Sequence, residues 1–78
     1  MKQKLRHFIF EELIFVADST RFSDDDDLLA AGLNSISIMR LVMFIETEFN
    51  ITLPDAEITV ENLQTFNKLG RWIKGHQT

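Results

Sequence analysis

The sequence predicts an all-α fold, a small bundle of three main helices and one short helix. Three observations point there. Apolar residues recur at three- and four-residue steps in three separate stretches. Turn formers and helix-capping side chains punctuate those stretches. At 78 residues the chain reads as a single domain, 1–78, in which local helix–helix contacts dominate.

The first helix is expected at about 2–17, where Leu5, Phe8, Ile9, Leu13 and Val16 form one stripe. Phe10 and Ile14 lie off that stripe. They widen the apolar arc, and burial is the preferred reading over a partner patch. Residues 18–34 carry Ser19, Ser23, the aspartates Asp24 to Asp27, and Gly32, so they read as a long loop. A loop of that length in a compact domain needs anchors, and Leu28 and Leu29 supply them. A second helix is expected at about 35–49, capped by Asn34, with Ile38, Leu41, Val42, Ile45 and Phe49 facing inward. Asn50 stops it, and Ile51 to Pro54 is extended because the residue before a proline avoids helical geometry. A short helix at about 60–63 has Thr59 as its cap, and a last helix at about 65–74 starts at Thr65 with Phe66, Leu69 and Ile73 on one face. Gly70 lies near that face, where a missing side chain permits close contact.

Composition excludes several function classes. A domain this small buries only about 60% of the surface its unfolded chain exposes, so nearly every apolar side chain is committed to the core and little room is left for an enzyme cleft. No cysteine is present, which removes disulfides, thiolate ligands and a nucleophilic thiol and fits a reducing compartment. Any thiol chemistry must be imported. The net charge of −4 points away from nucleic acid and toward basic partners. The apolar stretches Leu13 to Ala17 and Leu41 to Ile45 are too short for membrane insertion, and no secretory signal opens the chain. A cytoplasmic, freestanding monomer is the expectation.

The most informative stretch is Asp26-Asp27-Leu28-Leu29-Ala30-Ala31-Gly32-Leu33-Asn34-Ser35-Ile36, a turn-rich approach that delivers a serine to the first turn of an amphipathic helix. There the backbone N–H groups are unpaired and the helix dipole favours negative charge. Gly32-Leu33-Asn34-Ser35-Ile36 closely resembles the signature of the acyl and peptidyl carrier protein family: a glycine, a variable residue, usually an aspartate, the modified serine, and a leucine or isoleucine. The resemblance extends from the first helix through Phe49 and Glu61-Asn62-Leu63 to the last helix. It implies that a phosphopantetheinyl transferase, using magnesium and coenzyme A, attaches 4'-phosphopantetheine covalently to Ser35, whose arm then carries acyl or aminoacyl groups as thioesters. The implied partners are that transferase, an acyl- or aminoacyl-loading enzyme, and downstream biosynthetic enzymes. Asn34 stands where the family usually has aspartate; it keeps the capping oxygen and removes a charge. Ser37 projects to another side of the helix and follows no glycine signature.

Ile36, Met39 and Met43 form a second apolar stripe beside Ser35, with Arg40 next to it. In the family this surface receives partner enzymes, and methionines suit an adaptable interface; additional core packing is the competing reading. Many fatty-acid carriers present acidic residues here, so Arg40 slightly favours a nonribosomal-peptide-type carrier, while the acidic surface of Glu46 and Glu48 leaves a fatty-acid or polyketide role open.

Other chemistries fit poorly. From Asp24, the fifth position of a calcium loop would be Leu28, the sixth is not glycine, and the twelfth is Ser35. His7 in the first helix and His76 in an expected frayed tail offer Ser35 no base and make no zinc site. Trp72, between Leu69 and Ile73, reads as core. The chain is therefore expected to be a non-catalytic carrier with no metal site. The alternative is a helical interaction module with the carrier fold that is never modified and docks through Ile36, Met39 and Met43.

Overall fold

The computed structural model describes residues 2–77. Helix α1 spans Lys2–Phe8 and runs on as a π-helical turn over Ile9–Leu13. Helix α2 spans Ser35–Phe49, α3 Val60–Leu63 and α4 Phe66–His76. Single 3₁₀ turns at Ser19–Arg21 and Asp55–Glu57 punctuate the two connections, and no strand occurs among the described residues. The all-α expectation of three longer helices and one short helix holds, and α2 and α3 have the bounds that their caps imply.

Those caps act through their side chains. Asn34 accepts from the Ser37 N–H at 3.0 Å, Thr59 from Asn62 at 3.3 Å, and Thr65 from Lys68 at 3.0 Å. Each satisfies a donor that a helix start leaves unpaired. At the other end of α2, Asn50 adopts φ 53° and ψ 51°, left-handed values that asparagine tolerates better than most residues. The Ile51 N–H then reaches the Glu46 carbonyl at 3.2 Å, and the Glu46 carboxylate accepts from Leu53 N–H at 2.8 Å. Glu46 thus closes the helix and ties down the chain that follows.

The first helix departs from its expected extent of 2–17. Ile14 is already extended, at φ −135° and ψ 149°, and its N–H bonds the Ile9 carbonyl five residues back at 2.9 Å. The cause lies in the side chains outside the regular stripe. A π turn takes up an additional residue, which changes the facing of the helix end before the backbone leaves it. Phe10 then packs edge-on against Phe22 and Phe66, with centroids 5.3 and 5.7 Å away, and Ile14 is buried beside Gly32. The wide arc is core. Val16 is half-buried in non-helical chain, and Phe15 is exposed.

One core cluster joins the elements. Leu5 of α1 and Ile9 of its π-helical turn, Leu41 and Ile45 of α2, and Phe66, Leu69 and Ile73 of α4 are fully buried within it. The long loop adds Leu28, also fully buried, and Leu33, while Leu29 packs at the margin. Burial of one such leucine contributes about 2 kcal/mol, so the loop is a structural part of the bundle.

Arg6 fastens that loop to the helices. Its Nη2 donates to the carbonyls of Ser19 at 2.6 Å and Phe22 at 2.8 Å, and its Nη1 to Asp24 at 3.2 Å. The guanidinium also lies over the rings of Phe10 and Phe66, 5.3 and 5.0 Å from their centroids. A lysine supplies charge but neither the planar fork nor the stacking surface. Arg6→Lys is expected to lower stability by about 2 kcal/mol in chemical denaturation, the scale of a lost charge-assisted hydrogen bond.

α4 continues past the expected end at Lys74 and includes His76 in its last turn. Far from being a frayed end, His76 places Nε2 2.6 Å from Glu57 Oε1, and the Trp72 indole N–H donates to the same oxygen at 2.8 Å. Trp72 is buried, as expected of core. His76 first, and then Trp72, hold the Glu57 carboxyl below its ordinary value of 4.5. The unfolded chain therefore takes up this proton before the folded one does, and the clasp's contribution is complete above the ordinary value and lost as pH falls through the lowered one. In denaturation at a series of pH values, the stability gap between the protein and Glu57→Gln should shrink as pH drops below 4.5; a gap that stays constant down to about pH 3 would contradict this.

Candidate functional site

The approach to Ser35 is built from its backbone upward. Leu28 is held by its buried side chain and by its N–H, which donates to the Gln64 carbonyl at 2.7 Å. From there a turn brings Leu33 back to the core, with the Leu33 N–H on the Leu28 carbonyl at 3.1 Å. Gly32 makes the reversal at φ +126°, a region that side-chain-bearing residues rarely enter. A Cβ there would meet Ile14 Cγ2 at 3.5 Å, ordinary contact, so the demand for glycine is conformational. Leu33 is buried, Asn34 caps, and Ser35 emerges exposed as the first residue of α2.

This geometry suits a covalently held phosphate. The first N–H groups of a helix have no intrahelical partner, and Asn34 engages that of Ser37. No acidic residue occupies the first turn of this fifteen-residue helix, so the positive end of its dipole is not offset locally. Ser37 is buried, at 8% exposure, and cannot compete for a bulky attachment.

The second stripe is on the surface. Ile36 is 76% exposed, Met39 53% and Met43 63%, which removes core packing as its explanation. Arg40 is exposed beside it, donating through Nη1 to the Glu12 carbonyl at 3.2 Å, with Nη2 3.5 Å from the Glu12 carboxylate. Sequence reasoning missed Glu12, because the contact depends on where α1 ends. The acids of α2 are both engaged: Glu46 in the capping described above and Glu48 with Lys4 at 2.7 Å.

The structure also gives the four aspartates work within the fold. Asp24 pairs with Arg6, Asp25 accepts from Asn67 Nδ2 at 2.6 Å, Asp26 accepts from the Ser23 N–H at 2.8 Å, and Asp27 accepts from the Leu29 and Ala30 N–H groups. Among the described residues no group of three His, Cys, Asp or Glu is placed to hold a metal ion, and no helix is long and apolar enough to cross a membrane.

Fold and site together describe a helical carrier domain with a presented serine, and comparison with known proteins agrees. Residues 9–73 match the family model described as "Phosphopantetheine attachment site". The chain belongs to this family; it is a non-catalytic carrier protein with covalently attached phosphopantetheine, and the reading as a never-modified interaction module is not favoured. It is 36% identical over 70 residues to aminoacyl carrier protein 1 of Bradyrhizobium diazoefficiens, covering 90% of this chain and 74% of that one. It is 38% identical over 61 residues to a D-alanyl carrier protein of Streptococcus suis, covering 78% and 76%. Among solved structures, a chain in the complex of engineered Bradyrhizobium japonicum glycine:[carrier protein] ligase with carrier protein from Agrobacterium tumefaciens and AMP shares the fold at TM-score 0.82 and 24% identity, covering 95% of this chain and 99% of that chain. A chain in the B. japonicum ligase complexed with glycylated carrier protein gives TM-score 0.70 at 28% identity, covering 91% and 90%.

The strain argument at Gly32 has a built-in comparison. Gly32→Ala should lower stability by about 1 to 2 kcal/mol in chemical denaturation. Gly75→Ala, where a Cβ meets nothing within 4 Å, should leave stability unchanged or raise it by up to about 0.5 kcal/mol.

Proposed function

We propose that Ser35 is the attachment residue, that the cargo is an amino acid, and that Ile36, Met39, Arg40 and Met43 receive the enzyme that loads it. The observation that carries this reading is the placement of an exposed serine at the first position of α2, behind the Gly32 reversal and under the Asn34 cap. In the modification step a phosphopantetheinyl transferase brings coenzyme A to Ser35. The Ser35 Oγ forms a bond to the phosphorus of the pantetheine-linked phosphate, the anhydride bond to the departing adenosine bisphosphate breaks, and the hydroxyl proton passes to a base of the transferase. Asn34 engages the Ser37 N–H, and the earlier donors of the first turn, which have no partner within the helix, stabilise the phosphodiester. The terminal thiol of the attached arm supplies the thioester chemistry that a chain without cysteine lacks.

Support for an amino acid as cargo comes from the relatives, which are named as aminoacyl and D-alanyl carriers, and from the solved complexes with glycine:[carrier protein] ligase. Ile36, Met39 and Met43 lie exposed on α2 beside Arg40, whose guanidinium rests on Glu12, and this face supports the same assignment. A loading enzyme that fits it would offer an apolar recess.

Intact mass after incubation with coenzyme A and a broad-specificity transferase should show one phosphopantetheine adduct, absent from Ser35→Ala. No adduct, or an adduct that persists in Ser35→Ala, would sink the assignment. With the modified protein, an aminoacyl ligase should add an amino-acid mass that hydroxylamine removes, and Met39→Asp should slow that loading about tenfold or more, as burying an unpaired charge at an interface does.

A further inference from the structure

The turn that leads to Ser35 is joined to the α3–α4 junction by a ladder of contacts that attachment itself does not explain. Two backbone bonds form its frame, Leu28 N–H to the Gln64 carbonyl at 2.7 Å and Asn67 N–H to the Asp24 carbonyl at 3.1 Å. Two side-chain bonds run alongside, Asn67 Nδ2 to Asp25 Oδ1 at 2.6 Å and Gln64 Nε2 to Asp27 Oδ2 at 3.4 Å. Gln64 has its orientation set, because its Oε1 accepts from Lys68 Nζ at 3.0 Å and its nitrogen must therefore face Asp27.

Asp27 connects this ladder to the site. Its Oδ1 accepts from the N–H groups of Leu29 at 2.9 Å and Ala30 at 3.1 Å, and its own carbonyl accepts from Ala31 at 3.1 Å. That turn ends where Leu33 bonds back to Leu28, two residues before the serine. The Ala30 amide above all, followed by Gln64, holds the Asp27 carboxyl below its ordinary value of 3.8, consistent with a carboxylate that works as an acceptor.

We propose that Asp27 and Gln64 are positioning residues for Ser35: acting through the 27–33 turn, the α3–α4 junction sets how the serine hydroxyl is presented to the transferase. The inference rests on the assignment of Ser35 as the attachment residue. Its physical basis is that the turn closes through the Leu33 N–H on the Leu28 carbonyl, two residues before Ser35, so a shift of the turn moves the start of α2, and a displacement on the order of 1 Å at a reacting group can cost about a hundredfold in rate.

The test measures kcat and KM for phosphopantetheine transfer with coenzyme A and a broad-specificity transferase, at a temperature where circular dichroism shows every variant folded. Gln64→Glu sets a carboxylate against Asp27 and should lower kcat/KM about tenfold, with faster amide exchange confined to the turn and Ser35. Combining it with Asp27→Asn exchanges donor and acceptor and should restore kcat/KM to within about threefold of the starting protein. Glu57→Gln loosens α4 at its other end and should leave the rate unchanged. A Gln64→Glu protein modified at the original rate, or a double variant as slow as the single one, overturns the positioning role while the Ser35 assignment stands. Absence of any adduct on the unsubstituted protein overturns that assignment and this inference with it.

Discussion

Arg6 holds together parts of the chain that secondary structure leaves separate. Its guanidinium takes the carbonyls of Ser19 and Phe22 and the carboxylate of Asp24, and covers the Phe10 and Phe66 rings. These partners belong to α1, the long loop and α4. A loop as long as 18–34 has a large conformational entropy to lose, and leucine burial alone resists sliding poorly because it is non-directional. The charge-assisted bonds of Arg6 supply direction. With the first half of the loop fixed, Leu28 and Leu33 can be buried in register, and Ser35 arrives at the surface with its helix already capped.

The arrangement separates duties along α2. Its inward face, through Leu41, Val42 and Ile45, belongs to the core. The first turn at its N-terminus carries no acidic residue, and its outward face exposes Ile36, Met39 and Met43. A carrier has no reaction to catalyse, so its fold must instead hold one hydroxyl in view and offer a recognisable surface around it. The rigidity of a capped fifteen-residue helix meets the first need, and methionine side chains, which adapt to different partners, suit the second.

Much of this was legible in the residues themselves. Asn34, Thr59 and Thr65 were readable as caps because capping is a local act, completed within three residues of the side chain that performs it. Asn50 was readable as a stop for the same reason. The Gly32-to-Ile36 signature pointed to the attachment site proposed at Ser35, within a frame of matching helices. The end of α1 was not legible: apolar periodicity carries the helix to Ala17, yet Ile14 leaves it in order to bury its side chain beside Gly32. His76 looked like a frayed end because its partner, Glu57, is distant in sequence.

The sequence by itself therefore determined the number and order of helices, their starts, and the serine presented at the head of α2, since each depends on interactions between near neighbours in the chain. Tertiary structure alone decided which apolar stripe of α2 faces out, where α1 breaks, and what the acidic run does. The first two depend on packing partners tens of residues away, such as Phe66 for Phe10 and Glu12 for Arg40, and so does part of the third, through Arg6 for Asp24 and Asn67 for Asp25. Periodicity identifies an apolar face, but only the folded chain determines which of two such faces finds a neighbour to cover it.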